Sequence, residues 1–284
     1  MIDRNPQGHA VLDGVAVPAT SLVLPWSDPA AQWGLGVFET IAVSDAAPQH
    51  LPDHIVRLSA AAHRLGIRVP PASELVSAVG MVADNSEGAR AWLKIAVSRS
   101  GKWAVFAGAL AADEAGGAVS VVVLPWRRHR LDPTAGLKTV GYAAFLLGLE
   151  EARRRGADEG LWLNDRGHVI GACTANLFVV RGRAVVTPAL SDGARDGVTR
   201  SLAIPALREF GLSVRQSKVR LATLRAADEI FLTASLSGVR PVVRVDGRDV
   251  RRGEPGPVSR RLALALSGNE SPHGALRGGE RQGA

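Results

Sequence analysis

Residues 159 to 188, EGLWLNDRGHVIGACTANLFVVRGRAVVTP, constrain the fold more than any other stretch of the chain. Runs of apolar and β-branched residues are broken at Asp165-Arg166-Gly167 and again at Arg181-Gly182. Turn residues between strand-forming runs specify two hairpins in succession. Strands joined this tightly are antiparallel neighbours, which a doubly wound parallel sheet does not allow. A helix precedes the hairpins: in YAAFLLGLEEARRRGA, Tyr142, Phe145, Leu146 and Leu149 recur at helical spacing. Another follows in GVTRSLAIPALREFG, ended by Gly211. Strands and helices therefore mix without regular alternation, and the fold class expected is α+β.

The N-terminal half has the same texture. Residues 9 to 26 read as strands of a hairpin, and LGVFETIAVSD (35 to 45) as a strand. PDHIVRLSAAAHRLGI (52 to 67) is a helix with Ile55, Leu58, Ala62 and Leu65 on one face, and ASELVSAVGMVADN is a second. AWLKIAVSRSG and GAVSVVVLPW read as strands, LATLRAAD as a short helix and EIFLTAS as a strand. The polar, proline-bearing stretch 127–136 reads as a connector. It divides a small N-terminal domain (1–126) from a larger C-terminal domain (137–266), and the Gly-rich tail 267–284 reads as disordered.

Net charge is +7, but the arginines are scattered and no basic run is interleaved with aromatics, so no nucleic-acid surface is expected. No run of eighteen apolar residues suggests a membrane span. The opening MIDRNPQGHAVLDG carries no signal pattern, and Cys173 is the single cysteine. The expectation is a cytoplasmic protein without a disulfide or a cysteine-based zinc site. WGLG contains a G-x-G, but no helix follows it, which argues against a dinucleotide site.

Of 34 basic residues only Lys94, Lys102, Lys138 and Lys218 are lysine. Lys138 lies in the largely apolar AGLKTVGY. Apolar surroundings or nearby cations lower an amine's pKa and make it a nucleophile, which arginine cannot become. The alternative is a lysine snorkelling from a strand end; Lys94, in an alternating strand, is read that way outright. Four residues on, Tyr142 is the only tyrosine; its phenol could hydrogen-bond a cofactor hydroxyl or simply pack. Gly197-Val198-Thr199 open a helix whose free N–H groups and dipole suit an anion, although a plain N-cap is common. Arg57 could clamp a phosphate bidentately or stand as an exposed helix charge. LTASLSG (232 to 238) ends a strand in small hydroxylated residues.

In their order these pieces resemble the fold-type IV pyridoxal-phosphate enzymes, the class IV aminotransferases, over about residues 10 to 250. WGLGVFETI, HIVRL, AGLKTVGY, GADEGLWLNDRGHV with TANLFVV, GVTR and DEIFLTASLSGVRPV carry the resemblance. It implies a two-domain fold like that of D-amino-acid aminotransferase, pyridoxal 5'-phosphate as cofactor, a small amino substrate and a homodimer. It assigns Lys138 to the Schiff base and Tyr142 to the ring hydroxyl. Arg57, Gly197, Val198, Thr199 and Ser235 fall to the phosphate, and Phe38, Ser235 and Leu236 to the substrate. Arg99 and 101–108 are expected near the substrate pocket.

One position departs from the family. Before NLF the pattern has a glutamate that pairs with the cofactor's pyridine nitrogen; here it is Gly171. Three explanations stand: another acid or water replaces it, the pyridine works unprotonated, or the protein binds cofactor with little catalysis. Wording such as AGLK, LKIAVSRSG and CTANLF is closer to 4-amino-4-deoxychorismate lyases than to branched-chain transaminases. Aromatisation of a lyase product would tolerate a weaker electron sink. A branched-chain or D-amino-acid transaminase is the alternative, and a non-enzymatic basic binding protein is the rival from another class.

Overall fold

A computed structural model describes residues 5–84, 90–111 and 116–267. In the first part, β1 (His9–Leu12) and β2 (Val15–Pro18) form the expected hairpin, and α1 (Pro29–Trp33) is a short helix capped by Asp28. Then come β3 (Gly36–Ser44), β4 (Ala47–Pro48), α2 (Leu51–Arg64), α3 (Ala72–Ala83), β5 (Arg90–Ser98) and β6 (Trp103–Ala109). These strands make a six-stranded antiparallel sheet in the order β2-β1-β6-β5-β3-β4. The two helices bury Ile55, Leu58, Leu75 and Val79 against Ile41, Leu93, Ile95 and Val105. The apolar faces read from the 3.6-residue period are thus the ones that meet the sheet.

The second part holds β7 (Val119–Arg128), α4 (Ala143–Arg154), β8 (Glu159–Asn164), β9 (Val169–Ala172), β10 (Asn176–Arg181) and β11 (Ala184–Pro188). It continues with α5 (Val198–Glu209), β12 (Ser213–Ser217), α6 (Leu221–Arg225), β13 (Glu229–Ala234), β14 (Gly238–Val245), β15 (Arg248–Asp249) and α7 (Pro257–Ser267). Eight strands follow the order β12-β11-β10-β13-β14-β7-β8-β9, with β15 added on β14. β8–β9 and β10–β11 are the two hairpins that the turns specify. Of the other six pairs, β10–β13, β13–β14 and β14–β15 are antiparallel, and β11–β12, β14–β7 and β7–β8 are parallel. Leu161, Leu177, Ile230 and Val242 pack on one face, and Phe178 and Phe231 meet α5 and α7 on the other.

β7 belongs wholly to the second sheet and runs through Arg128. We therefore propose the domain boundary between β6 and β7, ahead of the 127–136 connector read from composition. The tail from 268 lies outside the described residues. Among the described residues no helix is long and apolar enough to cross a membrane.

The two sheets meet along residues 137–141. Phe38 N–H donates to the Lys138 carbonyl (3.0 Å) and Val140 N–H to the Gly36 carbonyl (2.9 Å). The segment thereby extends the free edge of β3. Glycine makes this approach possible. A Cβ on Gly36 would stand 2.8 Å from Val140 Cγ2, and one on Gly34, at φ +67°, 2.8 Å from Gly141 Cα. The G-x-G of WGLG is a docking surface for the Lys138 segment.

Candidate active site

A cavity of about 840 Å³ opens at this seam. The residues assigned to the cofactor and substrate all line it: Phe38, Arg57, Lys138, Tyr142, Gly197, Val198, Thr199, Ser235 and Leu236. Arg99 does not; its guanidinium donates to the Leu65 carbonyl (3.3 Å). Of the stretch 101–108, Phe106 reaches the cavity wall.

Lys138 Nζ stands 4.2 Å from the centre of the Phe38 ring and 5.5 Å from that of Tyr142. Withdrawal from water, and then the charge of Arg195, hold its pKa well below the usual lysine value. The snorkelling alternative is thereby set aside, because the amine faces the cavity between aromatic rings. Tyr142 begins α4 and donates its hydroxyl to the Cys173 carbonyl (2.9 Å), while Arg195 Nη1 donates to the Tyr142 oxygen (3.3 Å).

Arg57 projects from α2 onto Glu39 of β3. Nε and Nη2 meet the two carboxylate oxygens at 2.7 and 2.5 Å, and Nη1 donates to the Asp196 carbonyl just ahead of α5. His54, one turn before Arg57, bonds the same carboxylate through Nδ1 (2.8 Å), which turns Nε2 toward Ser235 Oγ (3.4 Å). Glu39 is buried, which alone would raise its pKa. The hydrogen bonds from His54 and Arg57 outweigh burial and bring it from 4.5 to about 2. One carboxylate thus fixes Arg57 in the cavity wall and His54 behind Ser235.

The first turn of α5 has no side-chain cap, so Val198 and Thr199 present unpaired backbone N–H groups at the cavity wall. Gly197 is required there: a Cβ would fall 1.9 Å from Asn176 Oδ1.

Gly171 also lines the cavity, at φ +143°, and pairs with Trp162 across β8–β9. Asp165, six residues back, accepts from Arg130 N–H (2.9 Å) and is not in the cavity wall. Glu159 is in the wall. It is buried, accepts from Thr174 Oγ1, and leaves Oε2 without a partner among the described residues. Burial pushes its pKa up.

Sequence reading missed Glu39, His54, Arg128 and Arg195, and it misjudged Lys94. Lys94 lines the cavity with Nζ 5.0 Å from the Phe38 ring centre. Its alternation in β5 was visible; that its face of the sheet covers a cavity and not solvent was not. His54 and Arg57 share the i, i+3 spacing of one helix face, the one signal that could have found the histidine.

The family described as amino-transferase class IV matches residues 36–245 of this chain. The chain is 33% identical to a branched-chain-amino-acid aminotransferase of Salmonella typhimurium over 168 residues, 58% of this chain and 53% of that protein. The match thus spans about half the length of that curated relative. To the Pseudomonas aeruginosa enzyme of the same name it is 26% identical over 276 residues, 86% and 88% of the two chains. The crystal structure of a branched-chain aminotransferase from Thermoproteus uzoniensis with norvaline superposes with a TM-score of 0.84 at 26% identity, covering 92% of this chain and 93% of the other.

Proposed function

This chain belongs to the class IV amino-transferase family, and from that premise we propose that it is a pyridoxal 5'-phosphate-dependent enzyme acting on an amino substrate, with 4-amino-4-deoxychorismate lyase the reaction its cavity fits best. The carrying observation is Lys138: a half-buried amine of lowered pKa on the wall of the cavity, between two aromatic rings. The surroundings fit a phosphorylated aldehyde. An uncapped helix start, a glycine that brings backbone close, Arg57 and Ser235 offer donors for a dianionic phosphate.

When bound, the cofactor supplies an electrophilic aldehyde carbon and a conjugated ring that takes up the electron pair left at the substrate carbon. Lys138 Nζ carries the covalent bond to that carbon and, when free, is the base that accepts the proton. Its lowered pKa makes its neutral form more available than that of an ordinary lysine. Tyr142 orients the ring hydroxyl, and Val198, Thr199, Arg57 and Ser235 grip the phosphate. Glu39 keeps Arg57 and His54 in place, and Phe38, Ser235 and Leu236 border the substrate.

The lyase reading rests on Lys94. An ammonium beside Phe38 suits a substrate with a further carboxylate better than a branched aliphatic side chain. Loss of pyruvate from 4-amino-4-deoxychorismate leaves 4-aminobenzoate and needs no oxidant or water. The branched-chain transaminase reading is favoured by the names of the relatives. A homodimer in the cytoplasm completes the proposal; Trp26 and Trp33, 86% and 74% exposed, are apolar area that a second copy would cover.

The experiment is direct. Purified protein incubated with pyridoxal phosphate is reduced with borohydride and mapped, and label at Lys138 is expected. Pyruvate from 4-amino-4-deoxychorismate supports the lyase; keto acid from leucine or valine with no pyruvate supports the transaminase. Protein that takes up no cofactor is the rival basic binding protein.

A further inference from the structure

We propose that the pyridine nitrogen of the cofactor is met in this chain by the guanidinium of Arg195, with Arg128 beside it, in place of a carboxylate, and that it stays unprotonated; this rests on the pyridoxal-phosphate reading above. Position 171, where the family pattern has its acid, is glycine, and its strand partner is Trp162. Trp162 and Phe145 meet edge to face at 6.0 Å, and Phe145 stacks on Tyr142 at 4.6 Å. These three rings form the cavity wall that runs from Gly171 to the phenol assigned to the ring hydroxyl.

What stands on that wall is cationic. Arg128 Cζ lies 4.6 Å from the centre of Phe145 and 5.8 Å from that of Trp162. Arg195 Cζ lies 5.0 Å from Phe145 and 5.5 Å from Tyr142. Neither guanidinium has a carboxylate hydrogen-bonded to it among the described residues, and Arg195 Nε is buried without an acceptor. Burial and the neighbouring Arg195 disfavour the cationic form of Arg128, and the Asp132 carboxylate offsets this only in part. The two guanidinium groups suit a neighbour that accepts hydrogen bonds and carries no positive charge. A pyridine nitrogen with its lone pair is such a group; a pyridinium N–H is a donor and a cation, wrong on both counts.

The competing acid is Glu159. The register Trp162 to Gly171 and Leu161 to Ala172 puts it opposite Thr174, its hydrogen-bond partner. That is three residues along the strand from Trp162, roughly 10 Å away. Burial also favours its neutral form, which cannot stabilise a pyridinium as a carboxylate does.

The test uses pyridoxal phosphate carrying nitrogen-15 in the ring, bound to the intact protein, with the nitrogen chemical shift read at neutral pH. The resonance of an unprotonated pyridine is expected. In Arg195→Leu the nitrogen loses its hydrogen-bond donor, and its resonance should move downfield toward that of a pyridine with a free lone pair. A pyridinium resonance in the unaltered protein overturns the proposal; if Glu159→Gln then abolishes that resonance, the acid is Glu159. An unprotonated resonance identical in Arg195→Leu overturns the part given to Arg195. If no labelled cofactor stays bound and borohydride fixes none at Lys138, the cofactor reading itself fails, and this inference with it. The unaltered protein alone decides the protonation state, so the result does not depend on a variant folding.

Discussion

Lys138 and Arg57 show how little a charged residue's identity says until its partners are known. Both are basic, and both face one cavity. Arg57 is held by Glu39 at 2.7 and 2.5 Å, whereas Lys138 sits among rings and near another cation. The first is a fixed charge and the second a titratable amine. Lys138→Arg should therefore be as damaging as Lys138→Ala, since a guanidinium stays protonated. Turnover should fall by roughly 10²–10⁴-fold in either variant, and borohydride should fix no cofactor. Retained labelling in Lys138→Arg would sink the assignment. Glu39 gives a prediction in pH. Its folded-state pKa of about 2 lies below the usual 4.5. The stability it contributes is therefore fully present above pH 4.5 and is lost as pH falls through about 2. Glu39→Gln should lower the thermal midpoint at neutral pH and show less of this acid loss, so the gap between variant and parent narrows as pH drops. It should also weaken cofactor binding about tenfold, because Arg57 and His54 lose their common anchor.

At the scale of elements, α5 has the sharpest requirement. Its start lies in the cavity wall because Gly197 leaves no side chain between the backbone and Asn176, 1.9 Å from where a Cβ would be. Gly197→Ala should displace the first turn and raise the dissociation constant for pyridoxal phosphate at least about tenfold, while the core packing of Ala203, Ile204 and Leu207 keeps the helix folded. Equal cofactor affinity, measured by equilibrium titration, would remove α5 from the phosphate site. The elements that were legible in sequence explain themselves by period and punctuation. α2, α4 and α5 carry apolar stripes, β8–β9 turns at Asp165-Arg166-Gly167, and β10–β11 turns at Gly182-Arg183, one residue beyond the expected Arg181-Gly182. β6 was not distinguished, because WAVFAGA is short and its apolar pattern is blurred by alanine and glycine. β12 is a polar edge strand, SVRQS, with one buried residue. α7 buries only Ser259 and Leu262 on its inward face, too few for an apolar stripe to be read. Local pattern cannot report a strand whose stability comes from a neighbour far along the chain.

The whole molecule places the site where two sheets touch, which is why nine of its residues were legible and five were not. Lys138, Tyr142, Thr199 and Ser235 sit in recognisable local motifs of the second part. Glu39, His54 and Lys94 belong to the first, Arg128 to the stretch read as connector and Arg195 to the segment ahead of α5, and all five acquire meaning only through the seam. The same geometry couples binding to stability. A ligand held by Lys138, α5 and Arg57 at once contacts both sheets, so it binds the folded arrangement and not the unfolded chain. At one hundred times its dissociation constant such a ligand adds about 2.7 kcal/mol, which for a chain of this size corresponds to a rise in thermal midpoint of roughly 5–10 °C. Gly36→Ala tests the coupling. Its Cβ would press on Val140 Cγ2 at 2.8 Å and on the Val97 carbonyl at 2.9 Å, forcing the Lys138 segment off the edge of β3. The variant should lose about 1–3 kcal/mol without ligand and gain less from pyridoxal phosphate than the parent does, read as the difference between loaded and unloaded midpoints in scanning calorimetry. If the variant is destabilised but its ligand-induced rise matches the parent's, the Lys138 segment is not the joint through which binding reaches the first sheet.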